Sequence, residues 1–322
     1  MKKIIAMALA AGMLLSMTAC ASKGSSQIKI GIVQLVEHAA LDAANKGFID
    51  GLKELGYEDG KNIKIDFQNA QGEQANCVTI ADKFVNDKSD LILAIATPAA
   101  QAVANKTKDI PILVTAVTDP FDAKLVASNT APGGNVTGTS DLNPIKQQVE
   151  LLMELVPTVK KVGFLYCSSE ANSAFQVNLA RIELEALGIE TSDYTVSNSN
   201  ELQQVAQSMA GKVDAIYAPT DNVISAGMAT VAGVANAAKL PVIVGEGEQV
   251  KNGGLATYGI SYYNLGKQTA AMAVRILKDG AKPAEMPIEY LAETELAINT
   301  TSAEAIGLTV PQALLDKAEI FK

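Results

Sequence analysis

Tryptophan is absent, histidine occurs once, cysteine three times, and the only arginines are Arg181 and Arg275. Each scarcity excludes something. The single histidine, His38, cannot form a catalytic constellation by itself, and Cys20, Cys77 and Cys167 make neither a CxxC pair nor any metal-ligand spacing. With so few arginines and a formal charge of −9, the chain has no basic patch for nucleic acid. A bidentate guanidinium clamp on a carboxylate or phosphate is available only if one of the two arginines reaches the site. Both sit in helix-like runs, NLARIELEAL and AMAVRILKDG, which suit surface or lobe-packing roles. The P-loop pattern and the GxSxG elbow are missing, and Gly245-Glu246-Gly247 lacks the third glycine of a dinucleotide fingerprint. Beyond the N-terminus no apolar run is long and uninterrupted enough to cross a bilayer.

What is present is ordinary globular material. The chain has 322 residues, 48% hydrophobic and 19% charged, enough for two domains. Lys2-Lys3 is a short positive segment, Ile4–Leu15 an apolar one, and small residues lead to Ala19-Cys20. Residues 1–19 are therefore expected to be a signal peptide. Met17-Thr18-Ala19-Cys20 resembles a bacterial lipobox, which implies lipidation of Cys20; cleavage without modification is the alternative. Residues 20–27 then form a polar tether, and the mature protein is expected outside the cytoplasm, tied to the membrane by lipid.

Asp90–Pro120 is the stretch around which the rest is arranged. Leu91–Ala96 and Ile110–Val117 are short runs rich in Ile, Leu and Val, the pattern of strands buried on both faces. A helix-like segment, Ala99–Lys108, lies between them, so the unit reads β-α-β with parallel neighbouring strands. Each strand ends in small polar residues, Thr97-Pro98-Ala99 and Thr118-Asp119-Pro120, and ligands bind beyond such carboxyl ends in open α/β sheets. Pro98 suits the first helical turn, with Thr97 as N-cap. Around this unit the pattern gives strands at Ile28–Val33, Ile63–Phe67 and Asn135–Thr139, and helices at Leu41–Leu55 and Val78–Val85.

From Lys161 the pattern repeats. Lys161–Tyr166 matches the Lys29–Gly31 strand, and Gly31 to Gly56 has the spacing of Gly163 to Gly188. Asp214–Tyr217 with Pro219-Thr220-Asp221 matches Asp90–Ala96 with Thr97-Pro98. Leu240–Val244 matches Ile110–Val114, and Gly253–Thr257 matches Gly133–Thr137. Five correspondences in one order imply two similar lobes. The fold class expected is α/β, two doubly wound parallel-sheet lobes joined by a three-segment hinge. Lobe one is expected over residues 28–142 and 258–288, lobe two over 143–257 and 289–322, with Tyr262–Leu277 a helix and Pro311–Lys322 a terminal helix. Cys77 and Cys167 then fall in different lobes, as free buried thiols.

Two such lobes, three crossings and a lipoprotein leader resemble the type I solute-binding proteins of ABC importers. Gly31–Gln34, Val36–His38, Leu41-Asp42, Ala96–Gln101, Val117–Pro120, Pro219–Asn222 and Gly245–Glu248 together are similar to the branch that includes tryptophan- and aromatic-amino-acid-binding lipoproteins. Relatives in that branch often have Pro where this chain has Ala39. The resemblance implies capture of a small solute by hinge closure, delivery to an ABC permease and its ATPase, a monomer, no cofactor, no metal and no catalysis. A ligand sensor of the same fold, a binder of nucleosides or other small organic solutes, and an enzyme of unfamiliar type are the alternatives.

An amino acid presents a carboxylate, an ammonium and a side chain. Without an arginine clamp, the carboxylate is expected on Thr97, Ala99 and Ala100 at a helix start and on Thr118 in the next loop. The ammonium is expected on Asp221 and Glu246, with Asp119 and Glu37 next. Asp221 is also placed to cap a helix, and Glu246 to be a solvated loop carboxylate. Ser169 and Glu170, beside Ser168 and Asn172, follow the first strand of lobe two and face the cleft by the strand-end rule. His38 suits a site wall, and Tyr166, Phe121, Tyr258 and Leu35 are the apolar candidates for an aromatic ligand.

Overall fold

The computed structural model describes residues 27–322, so the expected leader, Cys20 and all but the last residue of the tether lie outside the described residues. The first lobe contains β1 (Ile28–Gln34), α1 (Ala39–Glu54), β2 (Ile63–Asn69), α2 (Gln74–Asn86), β3 (Leu91–Ile95), α3 (Thr97–Lys106), β4 (Ile112–Val117) and β5 (Val136–Ser140). The chain then builds α4 (Ile145–Leu155), β6 (Lys161–Cys167), α5 (Ala171–Ala186), β7 (Glu190–Val196), α6 (Leu202–Met209), β8 (Ala215–Ala218), α7 (Asn222–Ala226), α8 (Met228–Ala237), β9 (Val242–Val244), α9 (Gly247–Lys251) and β10 (Ala256–Gly259). It continues through α10 (Tyr262–Asp279), β11 (Glu289–Tyr290), β12 (Glu295–Asn299), α11 (Thr300–Ile306), α12 (Gln312–Leu315) and β13 (Glu319–Phe321).

Two sheets result, ordered β11-β5-β4-β3-β1-β2 and β13-β12-β10-β9-β8-β6-β7. The parts built before each lobe's added strands, β5-β4-β3-β1-β2 and β10-β9-β8-β6-β7, have the same order, which is the repeat seen in the sequence. In each the order reverses beside the first strand, β1 or β6, and this switch point opens a crevice beyond the strand ends. The first sheet is parallel throughout. The second is parallel except where β12 runs antiparallel to β10. Continuous apolar runs such as Leu91–Ile95 and Val242–Val244 are buried along their whole length because helices cover both sheet faces.

Three details differ from expectation. Glu289–Tyr290 pairs with Thr139–Ser140 in the first sheet, so the chain leaves that lobe after Tyr290 rather than at residue 289. Tyr258 pairs with Leu296 in the second sheet, so the crossing into lobe one comes after Gly259. The expected terminal helix is only the turn Gln312–Leu315; Glu319–Phe321 instead pairs along the free edge of β12, where Ile320 and Phe321 suit a strand.

Helix α10 fastens the chain back onto lobe one against α1. The contact is close because glycines form it: a Cβ on Gly47 would stand 2.0 Å from the Tyr263 carbonyl oxygen, and one on Gly266 2.0 Å from that of Ala44. This packing fixes two helix starts, at Ala39 and Tyr262, beside the crossing segments. Neither arginine approaches them: Arg181 pairs with Asp193 over the Phe164 ring, and Arg275 pairs with Glu289.

Candidate functional site

Where the strand ends of the two lobes meet, a cavity of about 10 Å³ is lined by His38, Ala40, Leu41 and Ala116 of lobe one, and by Asn172, Thr220, Asp221, Asn222, Ser225 and Glu246 of lobe two. Asp141 and Tyr262, at the first two crossings, complete it. Side chains bridge the cleft directly. His38 Nε2 lies 3.2 Å from Asn222 Oδ1, and Gln176 Nε2 donates to Thr118 Oγ1 at 3.2 Å. The lobes are therefore in contact around the cavity.

Three carboxyl groups, of Asp141, Asp221 and Glu246, are among the cavity's polar side chains. Asp221 caps α7 by accepting from the Ile224 N–H at 2.9 Å, and it also accepts from the Cys167 N–H at 2.6 Å and the Ser173 hydroxyl at 2.7 Å. Glu246 caps α9, accepting from the N–H groups of Glu248 and Gln249 at 2.6 and 2.9 Å. It is 2% exposed, so it is not a solvated loop carboxylate. Glu170 stands behind them, bonded to the Asn222 side chain at 2.6 Å. Burial pushes Glu246 up to about 8, against its cap bonds. Burial and the Asp221 charge push Glu170 up to about 8 as well. Burial also raises Asp221, and its backbone N–H donors oppose the rise.

Asp141 differs from these. Its Oδ2 accepts from the Tyr262 hydroxyl at 2.6 Å, but its Oδ1 is buried with no protein partner. Burial raises its pKa, while Tyr262 and the nearby Thr118 hydroxyl oppose the rise. Asn172 shows the same deficiency. Its Nδ2 faces two acceptors, Glu170 Oε2 and the Thr220 carbonyl, so its Oδ1 is the atom left buried and unpaired. A buried polar atom without a partner costs about 1–3 kcal/mol. Two of them, both acceptors, belong to residues that line one cavity, and no protein donor reaches either.

The start of α1 also borders the cavity. The first bond of this helix runs from the Asp42 N–H to the His38 carbonyl, and His38 makes no side-chain cap. Ala40 and Leu41 line the cavity, and among the described residues their N–H groups have no hydrogen-bond partner. Burial lowers the His38 pKa, so the imidazole is neutral near pH 7 and adds no positive charge.

Of the residues expected from sequence, Asp221 and Glu246 line the cavity and Glu170 lies behind it; the two that line it are engaged as helix caps. Thr97, Ala99 and Ala100 are buried at the start of α3, outside this lining, and Ala96 with φ 83° takes the cap position expected for Thr97. Thr118 is buried beside the cavity and bonded across the cleft to Gln176. Asp119 organises its own loop, accepting from the N–H groups of Phe121 and Asp122 and from Asn129. Glu37 and Ser169 are exposed, and the Ser169 hydroxyl lies 3.2 Å from Cys167 Sγ. His38, expected at a site wall, lines the cavity, while Asp141, Tyr262, Ala40 and Leu41 line it without having been expected to contact the solute. The strand-end rule could have found Asp141, because it directly follows β5.

Two strand ends of lobe one carry left-handed backbone, and one of them, Ala116, lines the cavity. Ala96 and Ala116, at the ends of β3 and β4, have φ of 83° and 54°, and the β4–β5 register shifts between Val114 and Val117. Non-glycine residues in this region are costly and cluster at binding sites.

Comparisons with known proteins agree with this architecture. The chain is 47% identical over 282 residues to a tyrosine-binding protein of Clostridioides difficile strain R20291, covering 88% of this chain and 81% of that protein. A Streptococcus pneumoniae ABC domain solved in complex with L-Trp is 42% identical, with a TM-score of 0.88 over 92% of this chain and all of that one. The ligand-free, open structure of a Clostridium difficile substrate-binding protein with adhesive properties is 43% identical, with a TM-score of 0.71 over 91% of this chain and 99% of that one. The family model for the ABC transporter substrate-binding protein matches residues 29–322, and the chain belongs to that family.

Proposed function

We propose that this protein captures an aromatic amino acid between its lobes and delivers it to an ABC permease and its ATPase. The observation that carries this reading is the pair of buried, unpaired acceptors, Asp141 Oδ1 and Asn172 Oδ1, in the inter-lobe cavity. An ammonium supplies the donors they lack. The carboxylate lies on the free N–H groups at the start of α1, where the helix dipole favours an anion. The apolar wall of Leu41, Ala40, Ala116 and the Tyr262 ring takes the side chain. The relatives that bind tyrosine and tryptophan support the aromatic class.

Closure follows from the same contacts. At about 10 Å³ the cavity admits nothing larger than a water, so solute enters only with the lobes apart. Closing without a donor buries both acceptors at about 1–3 kcal/mol each. Closing on an ammonium turns that cost into charge-assisted hydrogen bonds. The ligand thus favours the closed form by contacts it cannot make in the open one. Asp141 is at the first crossing and Tyr262 just after the second, so this bond acts on the hinge. In this reading the protein is a non-catalytic monomer outside the cytoplasm, held to the membrane by a lipid on Cys20.

Thermal melting of residues 21–322 against the amino acids, with nucleosides, short peptides and sugars as controls, tests the proposal. At 100- to 1,000-fold over Kd, mass action gives about 3–4 kcal/mol of stabilisation. A selective rise in Tm with Trp, Tyr or Phe is expected. A rise only with the controls, or none at all, overturns the ligand class.

A further inference from the structure

The polar groups of the cavity are unequal in sign, and the imbalance bears on which end of the solute is recognised. Asp141, Asp221 and Glu246 line it and Glu170 backs it, while no lysine or arginine is among the lining residues. His38, its one basic side chain, is held neutral by burial. Two acceptors, Asp141 Oδ1 and Asn172 Oδ1, are buried and unpaired; their residues are 4% and 8% exposed. For a carboxylate there are the backbone N–H groups at the start of α1 and neutral side-chain donors such as the Ser225 hydroxyl. An ammonium entering this space gains a carboxylate partner and a second acceptor. A carboxylate entering it gains backbone donors but meets no cationic side chain, and it cannot supply the hydrogens that the two unpaired acceptors lack.

We propose that the site is selective for the primary ammonium and accepts aromatic amines that lack a carboxylate. This deepens the amino-acid reading above and rests on the same cavity. The feature required of a ligand is a protonated primary amine joined by a short chain to an aromatic ring. The carboxylate adds a contact but does not decide binding.

The test is isothermal titration of the mature chain at pH 7 with three matched ligands: L-tyrosine, tyramine and 3-(4-hydroxyphenyl)propanoate. The tryptophan, tryptamine and indole-3-propanoate set is run in parallel. The amine is expected to bind within about tenfold of its amino acid, and the ammonium-free acid more than about a hundredfold weaker. An acid that binds as tightly as its amine, or more tightly, overturns the proposal even where the amino acid binds and the transport reading stands. Amines that bind where amino acids do not support the proposal while overturning the amino-acid reading. No binding by any amine overturns it. Asp141→Asn keeps an acceptor for Tyr262 and should weaken tyramine binding by at least about tenfold while the ligand-free Tm is unchanged or higher. Tyramine affinity retained within about threefold in that variant also overturns the proposal. Should Asp141→Asn fail to fold, Asn172→Ala, which removes the second unpaired acceptor, is read by the same criterion.

Discussion

Replacing Asp141 by Asn is the sharpest perturbation of this site. The side chain keeps its shape and one oxygen, which can still accept from the Tyr262 hydroxyl that now bonds Oδ2 at 2.6 Å. The other position becomes an NH2 group pointed at the ligand's ammonium. A charge-assisted hydrogen bond is lost and a donor faces a donor. Hydrogen bonds to charged groups are worth about 1.5–3 kcal/mol, which corresponds to roughly a 10- to 150-fold rise in Kd. The ligand-free protein should behave oppositely. Burial raises the Asp141 pKa, which means that the charged form is disfavoured in place. Removing the charge should therefore leave the ligand-free Tm unchanged or higher. Titration calorimetry with the best aromatic amino acid, paired with melting of the ligand-free variant, separates the two effects. A Kd within about threefold of wild type would refute the reasoning, as would a lower Kd. A fall in Tm large enough to explain the weakened binding would refute the assignment of the loss to ligand contact.

Other positions give independent checks. Asp221→Ala should destabilise the fold with or without ligand, because it removes a helix cap worth about 0.5–2 kcal/mol and strands the Cys167 N–H and Ser173 hydroxyl; denaturant unfolding measures it, and an unchanged midpoint contradicts the structural role. Thr97→Val should leave ligand affinity within about threefold if the carboxylate sits on α1; a large loss by calorimetry would move the carboxylate to α3. Gly266→Ala should cost about 1–3 kcal/mol through collision of its Cβ with the Ala44 carbonyl, read as a lowered Tm. Glu246 and Glu170 have folded-state pKa values pushed from 4.5 to about 8. The folded state therefore binds more protons than the unfolded one between these values, and stability falls as pH rises through that window, by up to about 1.4 kcal/mol per unit for each group. Melting from about pH 5 to pH 8 should show the decline, and Glu246→Gln should make it shallower; a flat or rising profile contradicts the burial.

The fold was legible because buried parallel strands leave little choice of sequence. Leu91–Ile95, Ile112–Val117 and Val242–Val244 face helices on both sides, so nothing polar fits within most of their length. The repeat was legible for the same reason, since each lobe places equivalent runs in the same sheet order. Edge elements were harder. Strand β7, Glu190–Val196, is largely accessible and reads as polar, and β13 is three residues whose pairing depends on β12 being nearby. The site was half legible. The strand-end rule brought Asp221 and Glu246 to the cleft, but it cannot distinguish a carboxylate waiting for a ligand from one spent on a helix cap. That difference lies in which oxygen has a partner, and partners such as Cys167, Ser173 and Tyr262 come from distant parts of the chain. Asp141 belongs to no motif; the strand-end rule could have placed it at the cleft, but its bond to Tyr262 appears only when two crossings meet.

The most direct test is a crystal structure of the protein grown with the aromatic amino acid that binds best. The account predicts the solute between the lobes, its amino nitrogen within hydrogen-bonding distance of Asp141 Oδ1 and Asn172 Oδ1, and its carboxylate at the Ala40 and Leu41 N–H groups. A solute bound outside the cleft, or one whose amino nitrogen contacts Asp221 or Glu246 instead of Asp141, would contradict it.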